Sequence, residues 1–472
     1  MLTIADAIEA ITGFRPNSAL VITEAVIDSR QTIPGSLFVA IPGERVDGHD
    51  YIDAAFKRGA SFALIQREVD ASFHTLDLRA VPSADFFTSF DFATPFCLRV
   101  DNTVAALQQI ARFWRRKLNL RVIGITGSVG KSTTKETIAE VLSTRFRTIK
   151  TPGNLNNEIG LPLTVLRLSE GHECAVMEMG FYAIGEIAFL CDIALPQIAV
   201  LTNIGTVHAE RAGSQEVIAR GKSELVQALP ADGTAILNFD DQWVRKMEEK
   251  TKARVFFYGL SQESHLWADQ VVGLGLEGIR FRMHYQGETL HVKIPLIGRH
   301  SVQTALRAAA VGLAQGMNWQ EILEGLSYGH NQLRLAAVRS STGALLLDDA
   351  YNASPESMLA ALSLLDELDG HKLAVLGDML ELGQYERGGH EMVGMRAGQV
   401  ADVLVTLGPR AHTYAEAARR SGMKASAIFE FETIEPLIEW LTKTLTKNDV
   451  VLIKGSHGLR MDRITASLET RS

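Results

Sequence analysis

Short apolar runs separated by amphipathic stretches of helix length recur along almost the whole chain. In the first hundred residues, SLFVAI (Ser36 to Ile41) and FALIQ (Phe62 to Gln66) read as strands, and HDYIDAAFKRGA between them as a short helix ended by Gly59. Pro- and Phe-rich Val81 to Phe96 has no clean period and reads as a connection. From Asn119 the strand candidates are LRVIGIT, CAVMEM, QIAVLTNI and TAILNF. Thr133 to Phe146 reads as a helix, with Ile138, Val141, Leu142 and Phe146 on one face. From Leu333 onward ALLLDDAY, KLAVLGDM, DVLVTLG and DVVLIKGS repeat the pattern, each ending in Asp, Gly or Ser. Such alternation predicts an α/β protein of mainly parallel sheets covered on both faces, in three domains spanning residues 1–100, 101–332 and 333–472. Ligands of such sheets bind beyond the carboxyl ends of the strands, where the polar residues of this chain cluster.

Length agrees: 472 residues at roughly 100–200 per domain give about three domains. The 46% hydrophobic and 22% charged fractions exclude long disorder. A net charge of −8 with no Lys/Arg-rich run argues against a nucleic-acid binder or an anionic-membrane binder. Cys97, Cys174 and Cys191 form no C-x-x-C spacing, which points to a reducing cytoplasm and excludes a disulfide framework. The N-terminal stretch has no basic lead and carries Asp6 and Glu9, unlike a signal peptide. No apolar run approaches the ~20 residues that span a bilayer, so no membrane insertion is expected.

The segment GITGSVGKSTTKE follows a strand and enters a helix, the setting of a phosphate loop. Gly127 and Gly130 let the backbone curl around phosphate oxygens, with Ser128, Val129 and Thr133 in the same turn. Lys131 can reach the β- and γ-phosphates and the Ser132 hydroxyl can ligate Mg²⁺. Ile125 stands where the strict G-x-x-x-x-G-K-[ST] pattern has its first glycine. Glu178, Asn203 and His208 fall at strand ends of the same domain, and a carboxylate and an imidazole suit Mg²⁺ or Mn²⁺. Lys222 has apolar Ile218 and Val226 four residues to either side. Buried, its amine would be neutral and could take up CO₂ as an anionic carbamate; otherwise it snorkels to water.

Together with TPGNLNNEIGLPLTVLRL, EMG, LTNIGTVH, GKSEL, LLDDAYNASPESM and VLGDMLELG, this loop resembles the Mur ligases, over nearly the whole chain and in order. The stretch DSRQTIPGSLFVAIPGERVDGHDYIDAA is similar to the uridine-nucleotide domain of that family. The resemblance implies an N-terminal UDP-sugar domain, a central ATPase domain and a C-terminal Rossmann-like domain that closes over ATP. It further implies a monomer that joins D-alanyl-D-alanine to UDP-N-acetylmuramoyl-tripeptide through an acyl phosphate, for peptidoglycan synthesis. On that basis one Mg²⁺ is expected on Ser132 and Glu178, and a second between His208 and carbamylated Lys222. Arg334 is expected on phosphate, Asp349 and Asn352 on ribose or adenine, and Ser29 and Arg30 near the uridine nucleotide. Asn154, Asn156 and Asn157 are expected at the γ-phosphate and the reacting centre, Asn157 in a catalytic role. An Asx turn is the local alternative for each.

Four positions depart from the family wording: Val129 for an asparagine, Thr304 for another that touches nucleotide, His457 within KGSHGLRMD where KGSR is usual, and FYAIGEI after Gly180. Arg460 is the candidate substitute for the missing arginine. Two other readings stay open on sequence: a sister ligase with a different carboxylate or amine, and a P-loop switch that makes no bond.

Overall fold

The computed structural model describes residues 1–43, 45–79, 90–92, 95–206, 210, 213–328 and 336–469. Three sheets organise the chain. The first is parallel, in the order Ala25–Val26, Leu37–Val39, Phe62–Ile65, Phe96–Arg99, Thr75–Asp77. Gly59 takes φ +106° just after the helix Ile52–Lys57, a conformation that ends it. Of the connection Val81 to Phe96, residues 81–89, 93 and 94 lie outside the described residues, while Phe90 and Phe92 pack edge-on against Phe96.

The second sheet has nine strands. Its parallel part runs from Thr148–Lys150 through Cys174–Glu178, Arg121–Thr126, Ile198–Leu201, Thr234–Asn238 and Arg254–Gly259 to Leu266–Gly273. Ile279–Tyr285 and Glu288–Ile294 then extend it as an antiparallel hairpin. The helix after the phosphate loop runs Lys131–Ser143, so Phe146 lies beyond its end, although the ring still packs on the same core as Ile138. The third sheet is ordered Ala336–Arg339, Leu345–Asp348, Asp449–Lys454, His371–Gly377, Val403–Leu407, Ile428–Phe431, with only the first pair antiparallel.

Helix Thr103–Lys117 joins the first two sheets. Its apolar face (Leu107, Ile110, Trp114) belongs to one continuous core with Leu37, Leu64 and Leu98 on one side and Leu161, Met177 and Leu201 on the other. Buried Arg115 fixes the helix to the central sheet by donating to the carbonyls of Ala194, Leu118 and Leu120. The C-terminal sheet has its own two cores, one on each face. It meets the central domain through polar contacts, Asn154 Nδ2 to Tyr351 Oη at 3.3 Å, Gln384 Nε2 to the Gly213 carbonyl at 3.0 Å and Arg299 to Glu367 at 3.2 Å, and through Ile297 packed on the C-terminal core and Tyr385 on the central one. Among the described residues no helix is long and apolar enough to cross a membrane.

Candidate active site

The strand Arg121–Thr126 ends directly under the phosphate loop. Ile125 is therefore a fully buried strand residue, which explains why no glycine is needed there. Gly127 and Gly130 take φ +147° and +82°, and a Cβ on Gly127 would stand 1.8 Å from Thr202 Oγ1. Asn203 braces the turn from the neighbouring strand: its carbonyl accepts from Ser128 N and its Oδ1 from Val129 N, each at 2.9 Å. The Ser128 and Val129 amides are thus engaged within the protein. The first amides of helix Lys131–Ser143 have no acceptor within the helix, the usual setting for a phosphate. Val129 contributes its backbone here, so the missing asparagine side chain removes nothing from the brace.

Two lysines meet at one carbonyl. Lys131 Nζ lies 2.9 Å and Lys222 Nζ 3.1 Å from the Gly127 oxygen. Lys222 is 1% exposed, with Phe181 4.9 Å from its Nζ, so it does not snorkel to water. Burial, and then the charge of Lys131, hold its amine well below the usual lysine range. Its helix, Gln215–Lys222, ends at this residue, and both Ile218 and Val226 are buried as the pattern required.

Beside the lysines, Ser132 Oγ donates to Glu178 Oε2 at 2.8 Å, and Asn156 Nδ2 donates to Glu178 Oε1 at 2.9 Å. Ser132 and Glu178 are both buried, and a hydroxyl with a carboxylate suits Mg²⁺. Among the described residues no three His, Cys, Asp or Glu side chains converge on a metal position. His208 lies outside the described residues, as does Arg334. The three asparagines separate in role. Asn156 holds Glu178, Asn154 reaches Tyr351 of the C-terminal domain, and Asn157 Oδ1 accepts from Gly160 N at 2.8 Å, capping the helix Gly160–Leu166 as an Asx turn does.

Between the loop and the C-terminal sheet lies a cleft of about 300 Å³. Gly130, Thr133, Asn238 and Thr304 line one wall, and Asp349 and Asn352 the other. Ser29 and Arg30 lie apart from it, in the first domain: Ser29 is buried, and exposed Arg30 pairs with Asp28 at 2.7 Å.

Comparison with known proteins places this arrangement. Residues 21–115, 125–312 and 333–457 match, in turn, the Mur ligase family catalytic domain, the Mur ligase middle domain and the Mur ligase glutamate ligase domain. The UDP-N-acetylmuramoyl-tripeptide–D-alanyl-D-alanine ligase of Bacillus subtilis (strain 168) is 35% identical, over 99% of this chain and 98% of its own. The chain belongs to the Mur ligase family. Among solved structures, UDP-N-acetylmuramoylalanyl-D-glutamyl-2,6-diaminopimelate–D-alanyl-D-alanyl ligase from Acinetobacter baumannii matches this Mur ligase with a TM-score of 0.79 at 29% identity, covering 98% of this chain and 97% of that one. MurF ligase from Thermotoga maritima, in complex with ADP, matches with a TM-score of 0.77 at 28% identity, covering 95% and 98%.

Arg307 and Lys454, charged residues of this Mur ligase's cleft, escape sequence reasoning. Arg307 lies 6% exposed on the Ala-rich helix Val302–Ala314, with its guanidinium against Gly130. It donates to Thr304 Oγ1 at 3.0 Å, so Thr304 holds the arginine. A lone arginine inside the apolar run TALRAAA was the available signal. Lys454, 2% exposed at the end of its strand, donates to Asp349 Oδ2 at 2.6 Å and to the Asn352 carbonyl at 2.9 Å. Its signal was a strand-end lysine in VVLIKGS. Arg460 does not take the place that His457 leaves open. It is exposed and paired with Asp462 at 3.2 Å, while the His457 ring stands 5.9 Å from that of Tyr351.

Proposed function

We propose that this Mur ligase joins D-alanyl-D-alanine to UDP-N-acetylmuramoyl-tripeptide at the expense of ATP, giving UDP-MurNAc-pentapeptide, ADP and phosphate. The observation that carries the reading is the 35% identity, end to end, with the Bacillus subtilis enzyme of that name. ATP occupies the cleft between the central and C-terminal domains, with its phosphates on the N-terminus of helix Lys131–Ser143. Gly127, Ser128, Val129, Gly130 and Thr133 shape that cradle, and Asp349 and Asn352 hold the nucleoside from the opposite wall. Arg334 is assigned to phosphate.

The terminal carboxylate of the tripeptide attacks the γ-phosphorus, and ADP leaves. The amine of D-alanyl-D-alanine then attacks the acyl carbon, loses a proton and expels phosphate, which forms the amide. Lys131 swings from the Gly127 carbonyl to the β- and γ-phosphates and balances the charge that builds there. Asn156 orients Glu178, and Asn154 ties the reacting loop to the C-terminal domain. Asn157 keeps its assignment near the reacting carboxylate through its amide nitrogen, since its oxygen caps a helix. Ser132 and Glu178 would hold one Mg²⁺, with His208 and the carbamate of Lys222 holding another (Mn²⁺ being the alternative ion). Bound there, the ions would neutralise phosphate charge and polarise the carboxylate. Lys222 reaches its anionic form when its neutral amine adds to CO₂ and releases a proton. Ser29 and Arg30 bind the uridine nucleotide. The domains divide at residues 100 and 332, and the enzyme works as a monomer in the cytoplasm, in keeping with three buried free cysteines.

The test is phosphate release from ATP with UDP-MurNAc-tripeptide and D-alanyl-D-alanine supplied separately and together. Release only with both, matched by pentapeptide in the mass spectrum, is expected. Release with the tripeptide and a different amine would make the chain a sister ligase. A rate unchanged by either substrate would overturn the ligase reading.

A further inference from the structure

Arg307 is a buried cation without an anion. It stands on the wall of the cleft, 6% exposed, in the alanine-rich helix Val302–Ala314. Its Nε donates to the Gln303 carbonyl at 2.9 Å, a terminal nitrogen donates to Thr304 Oγ1 at 3.0 Å, and the Tyr258 hydroxyl takes a further bond. All three acceptors are neutral. Among the described residues no carboxylate pairs with the guanidinium. Burial draws its pKa below the ordinary arginine range, yet an arginine stays charged at neutral pH. Lys454, on the C-terminal side of the cleft, is by contrast neutralised by Asp349 at 2.6 Å.

A cation held in such a place costs free energy until an anion completes it. The direction of the fork says where that anion belongs. A Cβ on Gly130 would stand 3.6 and 3.7 Å from the two terminal nitrogens, so both face the glycine that caps helix Lys131–Ser143. The helix N-terminus and the guanidinium close on one space from two sides, and each favours negative charge there. A planar guanidinium with five N–H donors has bonds to spare beyond its protein partners, and it suits two phosphate oxygens at once. Lys131 and Ser132 serve the γ end, beside Lys222 and Glu178. Arg307 shares its wall with Asn238 and Thr304, opposite Asp349 and Asn352, which places it between that end and the nucleoside.

We propose that Arg307 is a further nucleotide-binding residue, whose guanidinium takes the α- and β-phosphates of ATP and ADP. Thr304 and the Gln303 carbonyl hold the fork in place, and the nucleotide supplies the counter-ion that the protein lacks. The inference rests on the proposed placement of ATP in this cleft and is independent of which amine is ligated.

The test is ADP binding by calorimetry, together with thermal unfolding of the ligand-free protein. Arg307→Gln keeps a donor for Thr304 and removes the charge. Its ADP dissociation constant is expected to rise about 10- to 100-fold, the range of a hydrogen bond to a charged group. Arg307→Lys, a point charge without the fork, should recover part of that loss. The ligand-free midpoint of Arg307→Gln should stay equal or rise, because a buried cation without a counter-ion is gone. In ligation, KM for ATP should rise by a similar factor while kcat changes by less than about threefold, since the γ end is untouched. ADP affinity within about twofold of the parent in Arg307→Gln, or in Arg307→Met should the glutamine variant not fold, would overturn the proposal. So would a lowered midpoint with ADP affinity intact, the mark of a packing role. Failure of the unaltered protein to bind ADP would instead overturn the placement of ATP in the cleft.

Discussion

Replacing Lys454 with methionine tests the wall of the cleft that the C-terminal domain supplies. The ammonium is 2% exposed, lies 2.6 Å from Asp349 Oδ2 and 2.9 Å from the Asn352 carbonyl, and so fixes both residues assigned to the nucleoside. Removing one partner of a fully buried ion pair costs about 3–5 kcal/mol. The Asp349 side chain keeps 18% of its surface open to the cleft, and that access to water reduces the figure to about 2–3 kcal/mol. Methionine fills much of the space, so little of the loss comes from a cavity. At an m-value of about 2 kcal/mol per molar urea, the midpoint should fall by about 1 M. The readout is hydrogen exchange of the Asp449–Lys454 amides across a urea series, which reports this domain alone. Asp349→Asn in the same background should recover part of the loss, because the stranded charge is then gone. ADP affinity, by calorimetry, should drop at least about tenfold, since the Asp349 side chain and the Asn352 backbone both lose their anchor. A midpoint within about 0.2 M of the parent, with ADP affinity unchanged, would refute the claim that Lys454 holds the wall.

Three further outcomes are expected. Lys222→Met should lower ligation by at least about 100-fold yet leave the thermal midpoint equal or higher, because a thioether replaces a buried amine crowded by Lys131; Lys222→Ala should regain some turnover with added short-chain carboxylates, and full activity in either variant would end the carbamate assignment. Gly127→Ala forces a Cβ to within 1.8 Å of Thr202 Oγ1 and should destabilise by at least about 2 kcal/mol and abolish ATP turnover, measured by calorimetry and phosphate release, with an unperturbed midpoint as the contrary result. Burial raises the Asp47 carboxyl, but the His49 amide and ring and the Arg67 guanidinium outweigh it and hold the pKa down to about 2. The stability this lends is present above the unfolded value of 3.8 and is lost as pH falls through about 2, so acid unfolding of the first domain should shift to higher pH in Asp47→Asn, and an unchanged acid midpoint would remove Asp47 from the account.

Eight strands of the two larger sheets were legible as short apolar runs closed by a turn residue, as in RVIGIT and VVLIK, whereas Thr148–Lys150, Arg254–Gly259, Leu266–Gly273, Ala336–Arg339 and Ile428–Phe431 were not. The hairpin Ile279–Ile294 was not. Its residues alternate between core and solvent, as in FRMHY, and no continuous apolar run marks it. The phosphate loop could be read from spacing, since local backbone geometry places it; for Lys222 spacing left a snorkelling side chain open, and its burial is a product of the fold. Glu178 and Asn203 could be read from their positions at strand ends. Arg307 and Lys454 could not be assigned, because their partners Thr304 and Asp349 act in a cleft built by two domains. For Asn157 the local Asx cap took the side-chain oxygen, a competition that spacing alone does not decide.

The continuous core beneath helix Thr103–Lys117 leaves the molecule with a single seam. Three sheets make only two mechanical bodies: the first two share one interior, and the third has its own, with Ile297 and Tyr385 the apolar side chains that reach across. The cleft assigned to the nucleotide lies across that seam, where polar contacts outnumber the apolar ones among the described residues. Relative motion therefore concentrates at the chemistry instead of being shared along the chain. A ligand that bridges the walls acts as a rivet, and each turnover must set it and release it.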